Sequence, residues 1–283
     1  MQSIDLHAHT TASDGSFTPT ELIVHAADEG LTAIAVTDHD TIDGLAEAEE
    51  AARQMNIELV PGIELAISTK TGRFHMLGYL IDRNNATLNS RLTQLKVNRA
   101  KRNDLMIQNL KTLGIDISLE DVVAESGGGQ VGRPHMAAAL VKKGVASSLQ
   151  DAFDRLLADG AEAHVPKDKI TVEEGLDLIH GAGGLAVMAH PNSLKLDDAA
   201  LAEELKRLRG IGLDGVECYY SQHTMERTDV LLEMALASGL LVTGGSDFHG
   251  TAKPTVFLGH VIGDQPAPDA LLLALKERKK SKG

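Results

Sequence analysis

Short apolar runs of strand type alternate with helical segments over both ends of the chain. The first strand is followed by FTPTELIVHAADEGL, in which Thr18 is a suitable N-cap, Pro19 suits the first helical position and Gly30 stops the helix. Further strand-like runs are TAIAVTDHD, IELVPGIELAI, RFHMLGYLI, LAVMAH, GVECYY, LLVTGG and TVFLGHVI, with helices near 41–55, 171–182, 198–209, 223–238 and from about 268. Strands rich in Val, Ile and Leu that alternate with helices favour a parallel sheet, and this many cycles predict a closed or nearly closed α/β barrel.

The region from 87 to 165 breaks this alternation and has the pattern of helices only. It contains NSRLTQLKVNRAKRNDLMIQNLKTLG, SLEDVVAES, RPHMAAALVKKG and SLQDAFDRLLADG, with SGGGQVG at 126–132 as a flexible turn. We therefore predict a barrel formed by residues 1–86 and 166–283, and a helical insertion of residues 87–165 that acts as a lid over one end of it.

Composition excludes several classes of function. The formal net charge is −13, from 27 Lys and Arg against 40 Asp and Glu, so no diffuse basic surface is available to hold long nucleic acid. The chain has neither an apolar run of membrane length nor a signal-like start, and its one cysteine, Cys218, suits a reducing compartment. We expect a cytoplasmic protein without a membrane or an evident protein partner, and a core position for Cys218.

Nine side chains with nitrogen or oxygen ligand atoms fall at or near predicted strand ends. In IDLHAHTTASDG the two histidines share one face of a strand, and the following turn could bring the aspartate back toward them. Singly, His75 could be a core histidine and His190 a turn cap, but the carboxyl ends of barrel strands meet at one mouth. The nine are His7, His9, Asp14, His39, Glu64, His75, His190, Asp247 and His249. Imidazoles and carboxylates without sulfur suit Mn²⁺, Fe²⁺ or Zn²⁺, so we predict a metal cluster.

The motifs HAHT, TDH, the Glu of PGIE, the His of RFHMLGY, AHP and SDFH, in this order, resemble those of the PHP family, named for polymerases and histidinol phosphatase. The resemblance implies an α/β fold, a distorted (β/α)7-type PHP barrel, here with a small all-helical insertion domain. The RPH within the insertion is similar to that of stand-alone members, which are nucleoside 3′,5′-bisphosphate phosphatases and, in some cases, 5′-to-3′ exoribonucleases on short RNA.

The resemblance also implies how the nine ligands are shared among three divalent metals, with Mn²⁺ expected and Fe²⁺ or Zn²⁺ as alternatives. His7, His9, Glu64 and Asp247 would hold the first metal, Glu64 with His75 and His190 the second, and Asp14, His39 and His249 the third. A hydroxide bridging two ions would then attack phosphorus. Several family phosphatases have histidine at the position of Asp14; a carboxylate still binds a hard cation, and a more easily lost third metal is the alternative.

Arg133 and His135, at the start of a predicted helix, are the candidate contacts to a phosphate that is not cleaved, and Ser13 is a third. The alternative for Arg133 is a surface ion pair. One of Asp38 and Asp40 is expected to accept the second ring N–H of a metal-bound histidine and the other to be a turn residue, and Asp5 is a similar candidate acceptor. The remaining histidines are interpreted as structural or surface residues: His25, His164, His180, His223 and His260.

These residues predict a metal-dependent phosphatase that converts a nucleoside 3′,5′-bisphosphate to the 5′-monophosphate and phosphate. The alternatives are a 5′-to-3′ exoribonuclease on short RNA with the same site, a histidinol-phosphate-type phosphatase, and a non-catalytic PHP module. The last alternative predicts gaps in the ligand set, and none of the nine positions is missing. The general acid is not assigned. The expected partner is a small anionic nucleotide or short RNA.

Overall fold

One eight-stranded sheet forms the centre of the protein in the computed structural model, which describes residues 3–69, 72–126, 131–262 and 265–282. The strands are β1 (Ser3–Ala8), β2 (Leu31–Val36), β3 (Glu58–Ser68), β4 (Arg73–Tyr79), β5 (Leu185–Met188), β6 (Gly215–Tyr220), β7 (Leu241–Gly245) and β8 (Ala267–Pro268). Their order across the sheet is β7, β6, β5, β4, β3, β2, β1, β8.

The sheet is mixed rather than parallel, which corrects the expectation from sequence. Neighbours pair in parallel from β1 to β3 and from β5 to β7, but β4 is antiparallel to both β3 and β5, and β8 is antiparallel to β1. The cause is the short connection between β3 and β4, since a hairpin reverses the chain where a helical crossover would not. His75 therefore lies near the amino end of its strand, not at the carboxyl end.

The two ends of the sheet approach each other at β1 and the residues after β7. The backbone N–H of Asp247 donates to the carbonyl of His7 at 2.8 Å, and the N–H of His9 donates to Phe248 at 2.9 Å. Gly245 allows this approach, because a Cβ at that position would lie 2.3 Å from the Cβ of His7. The predicted α/β class and nearly closed, distorted barrel are confirmed.

Ten α-helices lie in the described residues. They are α1 (Pro19–Asp28), α2 (Leu45–Met55), α3 (Ala86–Thr112), α4 (Leu119–Ala124), α5 (Arg133–Lys142), α6 (Leu149–Ala152), α7 (Val172–Gly181), α8 (Asp198–Gly210), α9 (Met225–Ser238) and α10 (Ala270–Lys282). A π-helical turn covers Phe153–Leu157, and 3-10 turns cover Pro191–Leu194 and Gly250–Ala252. The N-cap predicted at Thr18 is present, and Glu21 completes a capping box with it. None of the described helices has the length and apolar character required to cross a membrane.

The chain divides into two compact units, residues 1–89 with 169–283 and residues 90–168. The first unit contains the barrel, whose interior is filled by buried side chains such as Leu6, Val60, Leu77 and Val187. The second unit, in its described residues, is helical and has its own core, which includes Met106, Leu110, Met136, Leu140 and Leu157. The boundaries inferred from sequence lie near these junctions, and the role of the helical unit as a lid stays a prediction.

The strand predicted at TVFLGHVI is wrong. Val256, Leu258 and Val261 are buried, which produces the strand-like pattern, but the backbone turns at Gly259, whose φ is +78°. The N–H of Gly259 donates to Asp5 Oδ2 at 2.8 Å instead of to a neighbouring strand. The turn predicted at 126–132 includes residues 127–130, which lie outside the described residues.

Asp214, just before β6, joins three elements of the barrel unit through one buried carboxylate. It accepts hydrogen bonds from the N–H of Ala186 at 3.0 Å and from Nε2 of His180 at 2.9 Å, and it pairs with Lys282 of α10. Burial raises the pKa of this carboxyl, but the bonds from His180, Lys282 and Ala186 outweigh that effect and leave the pKa below its ordinary value.

We expect Asp214→Asn to lower the free energy of unfolding by about 1–3 kcal/mol at neutral pH, because the amide leaves donors without an acceptor. A group with a lowered folded-state pKa stabilises above its unfolded pKa, so the loss should shrink as pH falls below about 4. Urea unfolding over a pH series measures both the loss of unfolding free energy and its dependence on pH. The control is Asp177→Asn, at an exposed position on α7; equal effects of the two substitutions would contradict this role.

Candidate metal centre

The carboxylate of Glu64 is fully buried on β3 and lies among five imidazoles. Its Oε2 lies 2.9 Å from His39 Nδ1, 3.3 Å from His9 Nε2 and 3.4 Å from His7 Nε2. Its Oε1 lies 3.0 Å from His75 Nδ1 and 3.0 Å from His190 Nε2. The hairpin between β3 and β4 brings in His75, because β4 returns beside β3 and pairs His75 with Ala66, two residues from Glu64.

Asp247 and Asp14 lie on the other side of the same group of histidines. Asp247 Oδ1 is 3.3 Å from His9 Nε2, 3.6 Å from His7 Nε2 and 3.4 Å from His249 Nδ1. Asp14 is the most exposed of the candidate ligands, with 44 % of its side chain accessible, and its Oδ1 lies 3.3 Å from His249 Nε2. The structure thus brings all nine predicted side chains into one cluster within the barrel unit.

The potential ligand atoms form four overlapping groups, and within each group they lie within 4.8 Å of one another. The groups are His7, His9 and Asp247; His7, Glu64 and His190; His39, Glu64 and His75; and His9, Asp14, His39 and His249. His9 falls in two of them, whereas the family resemblance assigns it to the first metal alone. The division of ligands among three metals stays a prediction.

The carboxylates and imidazoles of this cluster shift one another's pKa. Burial raises the pKa of Glu64, but His39, His75 and His7 outweigh it and keep that pKa well below the ordinary value. Burial lowers the pKa of His9, yet the carboxylates of Asp247 and Glu64, each 3.3 Å from Nε2, raise it to about 9. The carboxylates likewise raise the pKa of His7 and His190, whereas burial lowers the pKa of His75 and His249, so the two kinds of imidazole differ in their tendency to hold a proton.

Comparison with known proteins agrees with this geometry. The PHP domain model matches residues 5–158, which is more than half of the chain. The chain belongs to the PHP domain family. The 5′-3′ exoribonuclease Rnm of Escherichia coli is 37 % identical over 254 residues, covering 87 % of this chain and 84 % of that protein. The 3′,5′-nucleoside bisphosphate phosphatase of Chromobacterium violaceum is 30 % identical over 261 residues and 92 % of each chain.

A solved structure supports the PHP barrel as well. A Bifidobacterium adolescentis protein classed as a metal-dependent phosphoesterase superposes with a TM-score of 0.81 at 33 % identity, over 98 % of this chain and 96 % of that one. The resemblance inferred from six short motifs is therefore confirmed along nearly the whole length of the chain.

The PHP cluster contains buried polar atoms without a hydrogen bond, and these test whether metal ions fit. Among the described residues they include His7 Nε2, both ring nitrogens of His9, and Glu64 Oε2. Each lies 2.9 to 3.7 Å from a nitrogen or oxygen atom of a residue of the opposite charge type. A buried polar atom without a partner costs free energy, and nitrogen and carboxylate donors without sulfur suit divalent transition metals. The residues present fit such ions.

Glu217 on β6 orients two of the candidate ligands, and the sequence analysis missed it. Its Oε1 lies 2.8 Å from His7 Nδ1, and its Oε2 accepts the backbone N–H of His190 at 2.7 Å. A carboxylate acceptor requires the proton on Nδ1 of His7, which leaves the Nε2 lone pair for the cluster. The sequence feature that could have identified Glu217 is an acidic residue inside the otherwise apolar strand GVECYY.

Tyr220 and Lys253 hold the second oxygen of Asp247, and they were missed as well. The Tyr220 hydroxyl donates to Asp247 Oδ2 at 2.9 Å, and Lys253 Nζ donates to the same oxygen at 2.6 Å. Burial, with Asp247 nearby, raises the pKa of Tyr220, so the phenol keeps its proton and remains a donor. Both contacts leave Oδ1 of Asp247 directed at the histidines.

The predicted acceptors for ligand histidines are corrected by the structure. Asp38 accepts from the N–H and hydroxyl of Thr10 and from the hydroxyl of Ser13, at 2.6 to 2.8 Å. Asp40 accepts the N–H of Ala66, and Asp5 accepts backbone N–H groups, among them that of His7. Asp38 fixes the turn at 10–15, because that turn supplies nearby donors, and Asp5 fixes the barrel closure.

Two candidate ligands have a strained backbone. His190 has φ of +26° and Asp247 has φ of +59°, a region that is unfavourable for residues other than glycine. Hydrogen bonds maintain these conformations. The N–H of His190 donates to the carboxylate of Glu217, and the N–H of Asp247 donates to the carbonyl of His7. Strain of this kind is typical of functional sites.

The predicted phosphate contacts have other partners in the structure. Arg133 begins α5, and its Nη1 donates to Asp159 Oδ1 at 3.2 Å and to the carbonyl of Leu157 at 3.3 Å. His135 Nδ1 accepts the N–H of Gly132 at 3.1 Å. Ser13 is only 1 % exposed, and its hydroxyl donates to Asp38, so we leave it out of the phosphate contacts proposed below.

We expect Glu217→Gln to weaken metal binding about 10–100-fold, because loss of the charge makes His7 a weaker ligand and the amide leaves one acceptor oxygen for the two N–H donors of His7 and His190. Retention of metal in competition with a chelator measures the effect. Glu233→Gln, at an exposed position on α9, is the control with the same charge change. If both variants retained metal as the unmodified protein does, Glu217 would not support the ligands.

Proposed function

We propose that the protein is a metal-dependent phosphatase that removes the 3′-phosphate from nucleoside 3′,5′-bisphosphates and releases the 5′-monophosphate and phosphate. Membership of the PHP family supports phosphoric ester hydrolysis. The Chromobacterium violaceum relative, named for this activity, supports the substrate, because the similarity covers 92 % of both chains.

The single observation that carries the proposal is the buried carboxylate of Glu64 between imidazoles on both of its oxygens. A carboxylate that offers both oxygens to neighbouring ligand groups can be shared by two ions, as in sites for phosphoryl displacement. Divalent ions would supply charge for the phosphate oxygens and lower the pKa of water. We propose three Mn²⁺ ions, with Fe²⁺ or Zn²⁺ as alternatives, divided among the nine ligands as the family resemblance implies.

The chain's own residues prepare this site before substrate binds. His249 Nδ1 lies 2.8 Å from the carbonyl of Asp247, an acceptor that fixes the proton on Nδ1 and leaves the Nε2 lone pair, on the side of Asp14, for a metal ion. Glu217 does the same for His7, and Tyr220 fixes Asp247. Ligands held in this way do not have to reorganise when charge develops on the phosphate, which is the usual source of electrostatic stabilisation.

We propose Arg133 and His135 as contacts to the phosphate that is not cleaved. A guanidinium offers two parallel N–H donors to phosphate oxygens, and the start of α5 adds the positive end of a helix dipole. The ion pair with Asp159 is the competing role, and that carboxylate is 70 % exposed, so the pair itself contributes little stability.

A 5′-to-3′ exoribonuclease on short RNA is the second candidate. The 37 % identity to the Escherichia coli exoribonuclease favours it. The net charge of −13 disfavours long chains, but it leaves oligonucleotides of a few residues as possible substrates.

Release of inorganic phosphate from adenosine 3′,5′-bisphosphate with Mn²⁺ tests the proposal. We expect rapid release, with adenosine 5′-monophosphate as the product. Protein that contains metal but releases no phosphate, while it shortens a 5′-phosphorylated RNA trimer, would replace the phosphatase by the nuclease.

We expect Arg133→Ala to raise KM for adenosine 3′,5′-bisphosphate roughly tenfold or more and to spare hydrolysis of adenosine 3′-monophosphate, which lacks the second phosphate. Steady-state kinetics with both substrates measures the difference. The control is Arg155→Ala, which removes an exposed, ion-paired arginine of the same helical unit. Equal effects on both substrates would remove Arg133 from this role.

A further inference from the structure

The loop of residues 190–198 leads from a candidate metal ligand into α8. It begins at His190, whose φ of +26° is unfavourable for a residue with a side chain. Glu217 accepts the N–H of His190, but this bond does not hold the chain that follows. From residue 192 to residue 200 every residue is exposed or half-buried. Buried apolar contacts therefore contribute little to keeping this loop in place.

Arg227 on α9 binds the loop at two points. Its Nε donates to Asn192 Oδ1 at 2.7 Å, and its Nη1 donates to the carboxylate of Asp198. Only 20 % of the Arg227 side chain is exposed, against 61 % of that of Asp198. The guanidinium is therefore largely enclosed by its surroundings, and the exposed loop is attached to it near its start and at its end.

A short turn connects this attachment to His190. Asn192 lies in the 3-10 turn that follows His190, and the N–H of Ser193 donates to the carbonyl of His190 at 3.0 Å. The turn thus restrains the carbonyl side of the strained residue, and Arg227 restrains the turn. Without that attachment, a strained backbone beside an exposed loop would relax toward a more favourable conformation.

The contacts of Arg227 differ from those of an ordinary surface ion pair. Arg207 and Glu204, for example, pair at a spacing of three residues within α8. Arg227 instead joins α9 to Asn192 and Asp198, which are 35 and 29 positions away in sequence. A pair within one helix supports that helix alone, whereas Arg227 fixes a loop that a helix of its own cannot fix.

We infer that Arg227 is a positioning residue for His190, because its two contacts with the loop keep that imidazole directed at Glu64. His190 Nε2 lies 3.0 Å from Glu64 Oε1, so a backbone change at residue 190 would move the ring away from the cluster. The inference rests on the metal centre of the proposed function. It adds a requirement outside the nine ligands, since the hydrogen bonds of the guanidinium in the described residues go to Asn192 and Asp198.

Metal retention in competition with a chelator, measured in a double-mutant cycle, tests the inference. We expect Arg227→Met to weaken the binding of one Mn²⁺ ion per chain about tenfold, as loss of a contact that orients a ligand does, while Met keeps the apolar bulk. His190→Asn should weaken the same ion. Adding Arg227→Met to His190→Asn should cause little further loss, because Arg227 acts through His190.

Two further variants act as controls in this cycle. Arg207→Met removes an exposed arginine of α8 and should retain metal as the unmodified protein does. Arg227→Lys should fall between the unmodified protein and Arg227→Met, since an ammonium keeps the charge but does not reproduce the fixed fork of donors. Full metal retention by Arg227→Met, or additive losses in the double variant, would overturn the inference.

Limited trypsin digestion of the metal-free chain tests the loop itself. Lys195 is exposed within the loop, and proteases cut where a chain opens locally. Arg227→Met should be cut after Lys195 several times faster than the unmodified protein, and Arg207→Met at the unmodified rate. Equal rates would overturn the inference. Faster cleavage throughout the chain would overturn it too, by making Arg227 a general structural residue.

A second variant keeps the test decisive if Arg227→Met does not fold. Asn192→Ala removes one of the two contacts at an exposed position, so the fold itself is not at risk. It should weaken one Mn²⁺ ion and speed cleavage after Lys195 in the same way, to a smaller extent. Unchanged metal retention and cleavage in Asn192→Ala would overturn the inference.

Failure of the proposed function is detected separately. An unmodified protein that binds metal but releases no phosphate from adenosine 3′,5′-bisphosphate contradicts the phosphatase, while the role of Arg227 is still measured by metal retention. An unmodified protein that binds no metal contradicts the metal centre and with it the inference, whatever the rate of cleavage after Lys195.

Discussion

The burial of the Glu64 carboxylate is the constraint on which the rest of the barrel unit depends. A charged group without solvent must be balanced by neighbouring charge, and here five imidazoles surround it. Two of those imidazoles belong to β1 and the residue after it, and one belongs to β4. The other two follow the ends of β2 and β5. The sheet must therefore bring all of these segments to one place. The antiparallel β4 follows from the same requirement, since it returns His75 to the side of Glu64.

A second set of residues holds the histidines and Asp247 in position. Glu217 connects His7 to His190, and Asp5 binds backbone N–H groups from three segments, those of His7, Ser246 and Gly259. These contacts explain why strained backbone is tolerated beside the cluster, because each unfavourable conformation is fixed by a buried hydrogen bond. The buried carboxylates of Asp5 and Glu217 therefore both hold the barrel closed and orient the candidate ligands.

The sequence was informative where local pattern decides the structure. Short apolar runs between helical segments identified most of the strands, and ligand-type residues near strand ends indicated which side chains would meet. It failed where a contact depends on distant segments: Glu217 meets His7 across 210 positions of sequence. The position of Asp38 next to His39 suggested a contact with an imidazole ring, but Asp38 instead accepts hydrogen bonds from Thr10 and Ser13. The strand predicted around Gly259 was incorrect because an irregular loop with buried apolar side chains has the same sequence pattern as a strand.

The central claim is that the cluster around Glu64 is a multinuclear metal centre. Metal analysis of the purified chain after equilibration with Mn²⁺, compared with Glu64→Gln, tests it most directly. Glu58→Gln is the control, because Glu58 lies on the same strand but is exposed and pairs with Lys276. The account predicts about three ions per chain in the unmodified protein and the control, and at most one in Glu64→Gln, since a shared carboxylate is lost. A full complement of metal in Glu64→Gln, or none in the unmodified protein, would contradict it.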